Sequence, residues 1–337
     1  MVTVHDVARA AGVSISTVSR ALASPERVAA DTRDRVTRVA AELGYRPNHA
    51  ASGLRMGRTH AVGLLVPDLE NPYFATVTKA VQARARAEGY EVFVADSDED
   101  ADMEAELIGA LAARTDGVLV ASPRSGEAEL RAALVGVTAV LASRELPATP
   151  SGTGDPEVPC VSVDDADGVA QALGHLSALG HRAVGVAAGP ASSWSSERRV
   201  AGLIAAAEQR DVQLVQLGTF QPYFAGGVQV ADHALASGVT AVVAFNDLMA
   251  LGILDRLRHR GVDVPGEMSV VGFDDVQLAT LVSPALTTVH APLARLGRRA
   301  VDLLLVRLRG GTAASTQLPV ELTIRGSSGP VPAGPVS

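Results

Sequence analysis

The chain has 337 residues, of which 47% are hydrophobic and 20% charged, and this composition excludes a wholly disordered protein. At about 100–200 residues per domain, the length predicts two or three domains. The formal net charge of −8 is unevenly distributed, because residues 1–60 carry nine arginines against five acidic residues and the rest carries −12. This asymmetry predicts a small basic module joined to an acidic body.

The sequence shows no run of 18 apolar residues, so we expect no membrane span. Its first residues lack the basic start and apolar stretch of a secretory signal. Cys160 is the only cysteine, which excludes an intramolecular disulfide and a cysteine-cluster metal site. These observations together predict a cytoplasmic protein.

The basic module shows three short helical patterns. Thr3 and Asp6 have the spacing of a capping box, and Gly12 ends the first pattern. Helices over about 15–23 and about 31–43 follow. Two short helices joined by a tight turn, with a third packed beneath, are typical of a helix-turn-helix. The same pattern is compatible with a plain three-helix bundle without a ligand.

In a helix-turn-helix the second helix enters the major groove of DNA. Arg20 can then reach a guanine, whereas Ile15 offers only apolar contact, for example to a thymine methyl group. The candidate DNA-contacting residues of the head are Thr3, Ser14, Ile15, Ser16, Thr17, Ser19 and Arg20.

The segments VTVHDVARAAGVSISTVSRAL and TRDRVTRVAAELGYRPN closely resemble the head of the lactose-repressor (LacI/GalR) family of bacterial transcription regulators. The resemblance extends to about Arg325. It implies a homodimer on a near-palindromic operator, with a hinge helix over 48–54 in the minor groove and Leu54 wedged between base pairs. Val28-Ala29 departs from the family, which often has Ser after the valine, so we expect the side-chain cap of the third helix to be lost or moved to Asp31 or Thr32. Further candidate DNA contacts are Asn48, His49 and Arg55.

From Ala61 onward, short apolar runs alternate with longer amphipathic ones. The predicted strands are 61–66, 91–95, 117–121, 139–142, 160–163, 183–188, 212–217, 241–245 and 269–273. The predicted helices are 72–88, 101–114, 168–179, 195–209, 225–236 and 247–260. Such repetition in two halves predicts an α/β body with two doubly wound parallel sheets, which bind ligands at the carboxyl ends of their strands.

The resemblance implies a bilobed, periplasmic-binding-protein-like body in which the chain crosses between lobes three times. The predicted units are a head (1–46), a hinge helix and linker (47–60), the bilobed effector-binding and dimerisation domain (61–325) and a disordered tail (326–337). We assign about 61–159 plus 290–317 to the N-lobe and about 160–289 plus 318–325 to the C-lobe.

Eight of the 11 aromatic residues lie at or near strand ends, beside carboxylates and amides, a combination that suits a polyol. Aromatic residues also cap sheet cores, so a cleft for another ligand remains open. The resemblance assigns effector contacts to individual residues, and Ser143 stands where several sugar-responsive relatives have Asp. The candidate effector-binding residues are Asp68, Asn71, Tyr73, Phe74, Ser143, Ser193, Trp194, Arg199, Phe220, Asn246 and Asp274.

The sequence shows no phosphate-binding loop, no dinucleotide-binding glycine pattern and no nucleophile elbow. Asp164, Asp165 and Asp167 lack the pattern of a calcium loop and are interpreted as helix caps. We therefore expect no catalytic residues, cofactor or metal, and a repressor controlled by a small molecule, a sugar or a derivative. Two alternatives stay open: a bilobed sugar-binding receptor without a DNA role, and a constitutive repressor with a degenerate cleft.

Overall fold

The computed structural model describes residues 2–23, 27–45, 58–147 and 158–331. Two compact units divide the chain, Met1–Thr59 and His60–Ser337, and each is described by itself. The predicted hinge helix over 48–54 lies outside the described residues, as do four of the candidate DNA contacts, namely Asn48, His49, Leu54 and Arg55.

The first unit contains the three helices that the sequence predicts, α1 (Val4–Ala11), α2 (Ile15–Ala23) and α3 (Ala30–Glu42). Their apolar faces meet in a small core, because the apolar residues of each helix recur at helical spacing. The spacing of Val36, Val39, Ala40 and Leu43 predicts one inner stripe on α3, but Leu43 is 38% exposed. The buried residues are Val7, Ala8, Ala11, Val18, Ala21, Val36 and Ala40.

The helix caps differ in quality. Thr3 donates from both its backbone nitrogen (2.9 Å) and its hydroxyl (2.7 Å) to Asp6 Oδ2. Ser14 Oγ accepts the backbone N–H of Thr17 at 3.1 Å and so caps α2. At the start of α3, Ala29 provides no side-chain cap, as the sequence predicts. The absence of such a cap lowers the stability of the folded helix by about 1 kcal/mol.

The elements of the N-lobe are β1 (Ala61–Val66), α4 (Pro72–Ala87), β2 (Glu91–Asp96), α5 (Ala101–Ala112), β3 (Gly117–Ala121), α6 (Glu127–Leu134), β4 (Ala139–Ala142), β5 (Cys160–Val163), α11 (Leu293–Leu308) and β11 (Thr316–Leu318). Its strands form a parallel sheet with the order β11-β5-β4-β3-β1-β2. The inner strands β1, β3, β4 and β5 are buried on both faces, as expected for a sheet covered by helices, whereas the edge strands β2 and β11 are partly exposed.

The elements of the C-lobe are α7 (Asp165–Ala178), β6 (Ala183–Ala188), α8 (Trp194–Glu208), β7 (Gln213–Thr219), α9 (Phe224–Ser237), β8 (Ala241–Ala244), α10 (Asp247–His259), β9 (Ser269–Asp274), a 3₁₀ turn (Gln277–Thr280), β10 (Thr287–His290) and β12 (Glu321–Thr323). Its strands form a second sheet with the order β12-β10-β9-β8-β6-β7, in which the described strands are parallel except for the short β12, which runs antiparallel to β10.

The lobe boundary predicted at residue 160 is wrong. Strand β5 pairs with β4, with Cys160 opposite Leu141, so it belongs to the N-lobe and the chain first crosses after Val163. Likewise 318–325 is divided, because Leu318 ends β11 in the N-lobe and Glu321 begins β12 in the C-lobe. A short apolar run identifies a buried strand but not the sheet to which it belongs. Helix α6 was not predicted.

The predicted disordered tail begins too early. Ser327 is fully buried and accepts the backbone N–H of Thr287 at 2.8 Å. The Gly329 carbonyl lies 3.0 Å from Nε2 of the buried His181. Val331 donates its backbone N–H to the Leu179 carbonyl at 2.9 Å. Residues 326–331 therefore pack on the C-lobe through backbone and hydroxyl hydrogen bonds, which their polar composition does not reveal.

Helices α9 and α10 approach closely at Gly252. A methyl group at that position would overlap the carbonyl oxygen of Phe224, which is backbone and cannot move aside cheaply. By contrast, Gly109 in α5 has open space around it. Across the described ranges, none of the helices combines the length and apolar character needed to cross a bilayer.

Candidate functional site

The exposed face of α2 carries the polar residues expected of a recognition helix. Ser16, Ser19 and Arg20 are exposed, and Arg20 Nε donates to the Ser16 carbonyl at 3.1 Å. Ile15, expected to be free, is half-buried and packs against the core of the head. Thr3 is exposed at the start of α1. The exposed face of α2 is therefore a short polar surface that carries the Arg20 guanidinium.

A cleft lies at the carboxyl ends of the strands, where the two lobes meet. The predicted residues that it brings together are Asn71, Tyr73, Phe74, Ser143, Arg199, Asn246 and Asp274. The other lining residues are Ser122, Arg124, Ser195, Pro222 and Phe245. Both lobes contribute, as expected for a ligand site at the switch points of doubly wound sheets.

Arg199 is the central group of the C-lobe wall. Its Nε donates to Asp165 Oδ1 at 2.7 Å and its Nη1 to the Phe245 carbonyl at 2.6 Å. Its Nη2 lies 3.6 Å from Asp274 Oδ1, and its guanidinium stacks 3.5 Å from the centre of the Phe273 ring. Burial raises the pKa of both carboxyls, although the guanidinium opposes that shift.

The N-lobe wall centres on Tyr73. Its hydroxyl lies 2.6 Å from the hydroxyl of Ser143, and burial raises its pKa above the usual range, so it stays neutral. Asn71 Oδ1 accepts the backbone N–H of Tyr73 at 3.0 Å and caps α4. Ser195 of the C-lobe reaches across and donates to the Ser143 carbonyl at 3.4 Å. The two walls therefore touch directly.

The turn that carries Asp274 is strained and firmly held. Asp274 and Asp275 have φ values of 112° and 57°, and the first of these is costly for a non-glycine residue. Asp247 beneath the turn accepts the Val276 N–H at 2.9 Å and the Thr288 hydroxyl at 2.5 Å. Burial raises the pKa of Asp247 to about 7. These bonds hold the Asp274 carboxylate at the cleft.

Four predicted effector contacts are not among the lining residues. Phe220 is buried in the C-lobe core, 5.4 Å between ring centres from His233. Ser193 caps α8, and Trp194 stacks with Arg198. Asp68 is buried, and its Oδ2 has no hydrogen-bond partner among the described residues. These positions do not contact the cleft in this conformation.

Besides the four uncharged lining residues Ser122, Ser195, Pro222 and Phe245, two charged residues of the site were not predicted, Arg124 in the lining and Asp165 behind it. The expected role of Asp165 as a helix cap belongs to Asp164, whose Oδ1 accepts the Asp167 N–H, and Asp165 pairs with Arg199. Arg124 lies beyond the end of β3, at the carboxyl edge where ligands bind, and that position was an available signal. Within the described ranges, no group of three or more His, Cys, Asp or Glu side chains could hold a metal ion.

A helix-turn-helix head together with a two-lobed body and an interlobe cleft defines a class of ligand-binding transcriptional regulator. Residues 3–48 match the family model of bacterial regulatory proteins of the lacI family, and residues 173–328 match that of the periplasmic binding protein-like domain. The transcriptional regulator DegA of Bacillus subtilis is 32% identical, with 98% of each chain covered. The repressor CytR of Escherichia coli is 30% identical over 98% of this chain and 97% of its own.

The fold resembles that of solved regulators. The structure of the Lac repressor dimer bound to operator and the anti-inducer ONPF matches with a TM-score of 0.87 and 28% identity, covering 97% of this chain and 99% of that one. The structure of a complex of the regulator CelR with cellobiose matches with a TM-score of 0.69 and 29% identity, over 97% and 100% of the two chains. The chain belongs to the LacI family of helix-turn-helix transcriptional regulators.

Proposed function

We propose that this regulator is a cytoplasmic repressor that binds a near-palindromic operator as a homodimer and is controlled by a sugar or sugar derivative in the interlobe cleft. The observation that carries the proposal is the composition of the cleft. Tyr73, Asn246 and Asp274 combine an aromatic ring, an amide and a carboxylate, the groups that hold a sugar by its faces and hydroxyls. No step of this mechanism uses catalysis.

Several features support the ligand-dependent part of this proposal. The cleft is lined from both lobes, and Ser195 and Ser143 connect them. A ligand between the walls therefore changes the balance between open and closed lobes by its differential affinity for the two forms. The Lac repressor structure was solved with both an operator and an anti-inducer, which supports the same pairing of DNA and effector here.

The test is fluorescence anisotropy of the purified protein on its own upstream DNA and on a scrambled duplex. Salt is held near the physiological value, because binding to DNA depends steeply on it. The titration is repeated with a panel of sugars. We expect specific binding that one sugar weakens or strengthens. Equal, weak binding to both duplexes and to a randomised operator library would contradict the proposal for DNA.

A matched pair of variants tests the cleft. Asp274→Asn removes a carboxylate from the lining and is expected to lose the response to the sugar. Asp232→Asn makes the same change at a surface carboxylate that pairs with Arg256 and Arg260, and it should keep the response. A response that persists in Asp274→Asn would refute the assignment of this site. Specific DNA binding without any response would instead indicate a constitutive repressor.

A further inference from the structure

We propose that Asp165 neutralises Arg199 and thereby reserves the cleft for an uncharged ligand rich in hydrogen-bond donors, excluding anions. This inference rests on the proposed role of the cleft as the effector site. It assigns to Asp165 a positioning role, because the carboxylate contacts Arg199 and does not itself line the cleft.

Two nitrogens of the Arg199 guanidinium donate to groups of the protein. Nε is bonded to Asp165 and Nη1 to the Phe245 carbonyl, at 2.7 and 2.6 Å. The side chains of Arg199 and Asp165 are only 8% and 3% exposed, so this ion pair is shielded from water. A phosphate or carboxylate that drew the Arg199 guanidinium away from Asp165 would leave the Asp165 carboxylate buried without its partner. An unpaired buried charge is strongly unfavourable.

The second arginine of the lining is neutralised as well. Arg124 donates to both carboxylate oxygens of Glu99, at 2.6 and 2.8 Å, and also to the carbonyl and the hydroxyl of Ser122. Bidentate pairing of this kind fixes the guanidinium and uses its charge. Both arginines that line the cleft are therefore committed to carboxylates of the chain itself.

The one carboxyl group among the described lining residues also disfavours anions. Asp274 Oδ1 lies 3.6 Å from Arg199 Nη2, so a negative ligand at the guanidinium would meet this second acidic group there. A hydroxyl or amide N–H would instead donate to its oxygens at little electrostatic cost. The chemistry of the cleft thus selects an uncharged polyol over its phosphorylated or carboxylated derivatives.

The experiment measures binding of inorganic phosphate by isothermal titration calorimetry at constant ionic strength. Asp165→Asn keeps the shape and the acceptor oxygen but removes the charge that neutralises Arg199. We expect no detectable phosphate binding by the wild type or by Asp232→Asn, the control at a partly exposed arginine pair outside the cleft. Asp165→Asn should bind phosphate with an affinity at least about tenfold above the weakest affinity that the titration detects, as one new charge-assisted hydrogen bond implies. The double variant Asp165→Asn/Arg199→Gln should lose that gain.

Two results would overturn the inference. The first is phosphate binding by the wild type that Arg199→Gln abolishes. The second is a folded Asp165→Asn variant, verified by circular dichroism, that gains no affinity. If that variant does not fold, phosphate binding is measured with Asp274→Asn, which removes the other carboxylate beside Arg199. A higher affinity for phosphate in Asp274→Asn supports the inference, and an unchanged affinity refutes it. The assay contains neither DNA nor sugar, so failure of the proposed repressor function is detected separately.

Discussion

Replacing Arg20 tests whether α2 reads bases. Its Nε–H is bonded to the Ser16 carbonyl, which fixes the guanidinium on the exposed face, and the Nη groups are the donors that a base edge would meet. A bidentate arginine–guanine contact contributes about 1–3 kcal/mol to discrimination between bases. The proposed dimer presents Arg20 twice, so Arg20→Ala should weaken operator binding by about 2–6 kcal/mol, or about 30-fold and more.

The assay is anisotropy on the operator and on a scrambled duplex over a series of salt concentrations. Arg20→Lys keeps the charge but loses the planar fork, so it should lose operator preference while binding scrambled DNA nearly as the wild type does. Arg9→Ala is the control, because Arg9 is equally charged but lies on α1 with 82% of its side chain exposed. The decrease in affinity of each variant is compared between the two duplexes.

A different outcome would identify Arg20 as a residue that binds phosphate. Binding would then weaken equally on both duplexes, and the slope of log affinity against log salt would fall by about 0.9 for each phosphate that the variant no longer neutralises. That result would refute the interpretation of Arg20 as a base-reading residue. An equal decrease in Arg9→Ala would show that the effect comes from the net charge of the head and not from its recognition helix.

Three further predictions concern stability, measured by thermal and urea unfolding. Ser14→Ala should destabilise the head by about 1 kcal/mol, and Ala29→Ser should stabilise it by a similar amount, because one removes a cap and the other supplies one. Gly252→Ala should destabilise the body by about 3 kcal/mol, whereas Gly109→Ala should stabilise it by about 0.5–1 kcal/mol. The pKa of Asp247 is raised to about 7, so the folded state favours its protonated form. The stabilisation of the folded body that this preference provides is lost as the pH rises from about 4 through 7. The stability of Asp247→Asn relative to the wild type should therefore increase over that range, and a constant difference would contradict the shift.

The sequence predicted the elements well because their periodicity is local. The helices at 4–11 and 15–23 agree with the structure because their apolar residues recur at helical spacing. The strand at 61–66 agrees because it is a short, continuous apolar run. The lobe of β5 could not be predicted in this way. Residues 143–159 separate it from its partner strand β4 in the chain, and a sheet assignment depends on pairing rather than on composition.

The site shows the same limit. Residues that follow strands, such as Asn246 and Asp274, could be predicted because the carboxyl ends of parallel strands gather at one edge. The role of Asp165 could not, since its partner Arg199 is 34 positions away and both lie on helices. Phe220 shows the converse error: an aromatic residue after a strand packs into the core and not into the cleft.

The direction of regulation follows from which interactions a ligand replaces. The walls of the cleft already touch through Ser195 and Ser143, so closure has a favourable interaction before any ligand enters. A ligand whose hydroxyls bridge Tyr73 and Asp274 adds bonds that exist only when the lobes are closed, and it favours that form. A bulkier ligand that separates Ser195 from Ser143 removes a hydrogen bond of the closed state and favours the open form. Two ligands of equal affinity can therefore have opposite effects on DNA binding, because only differential affinity for the two forms shifts the equilibrium.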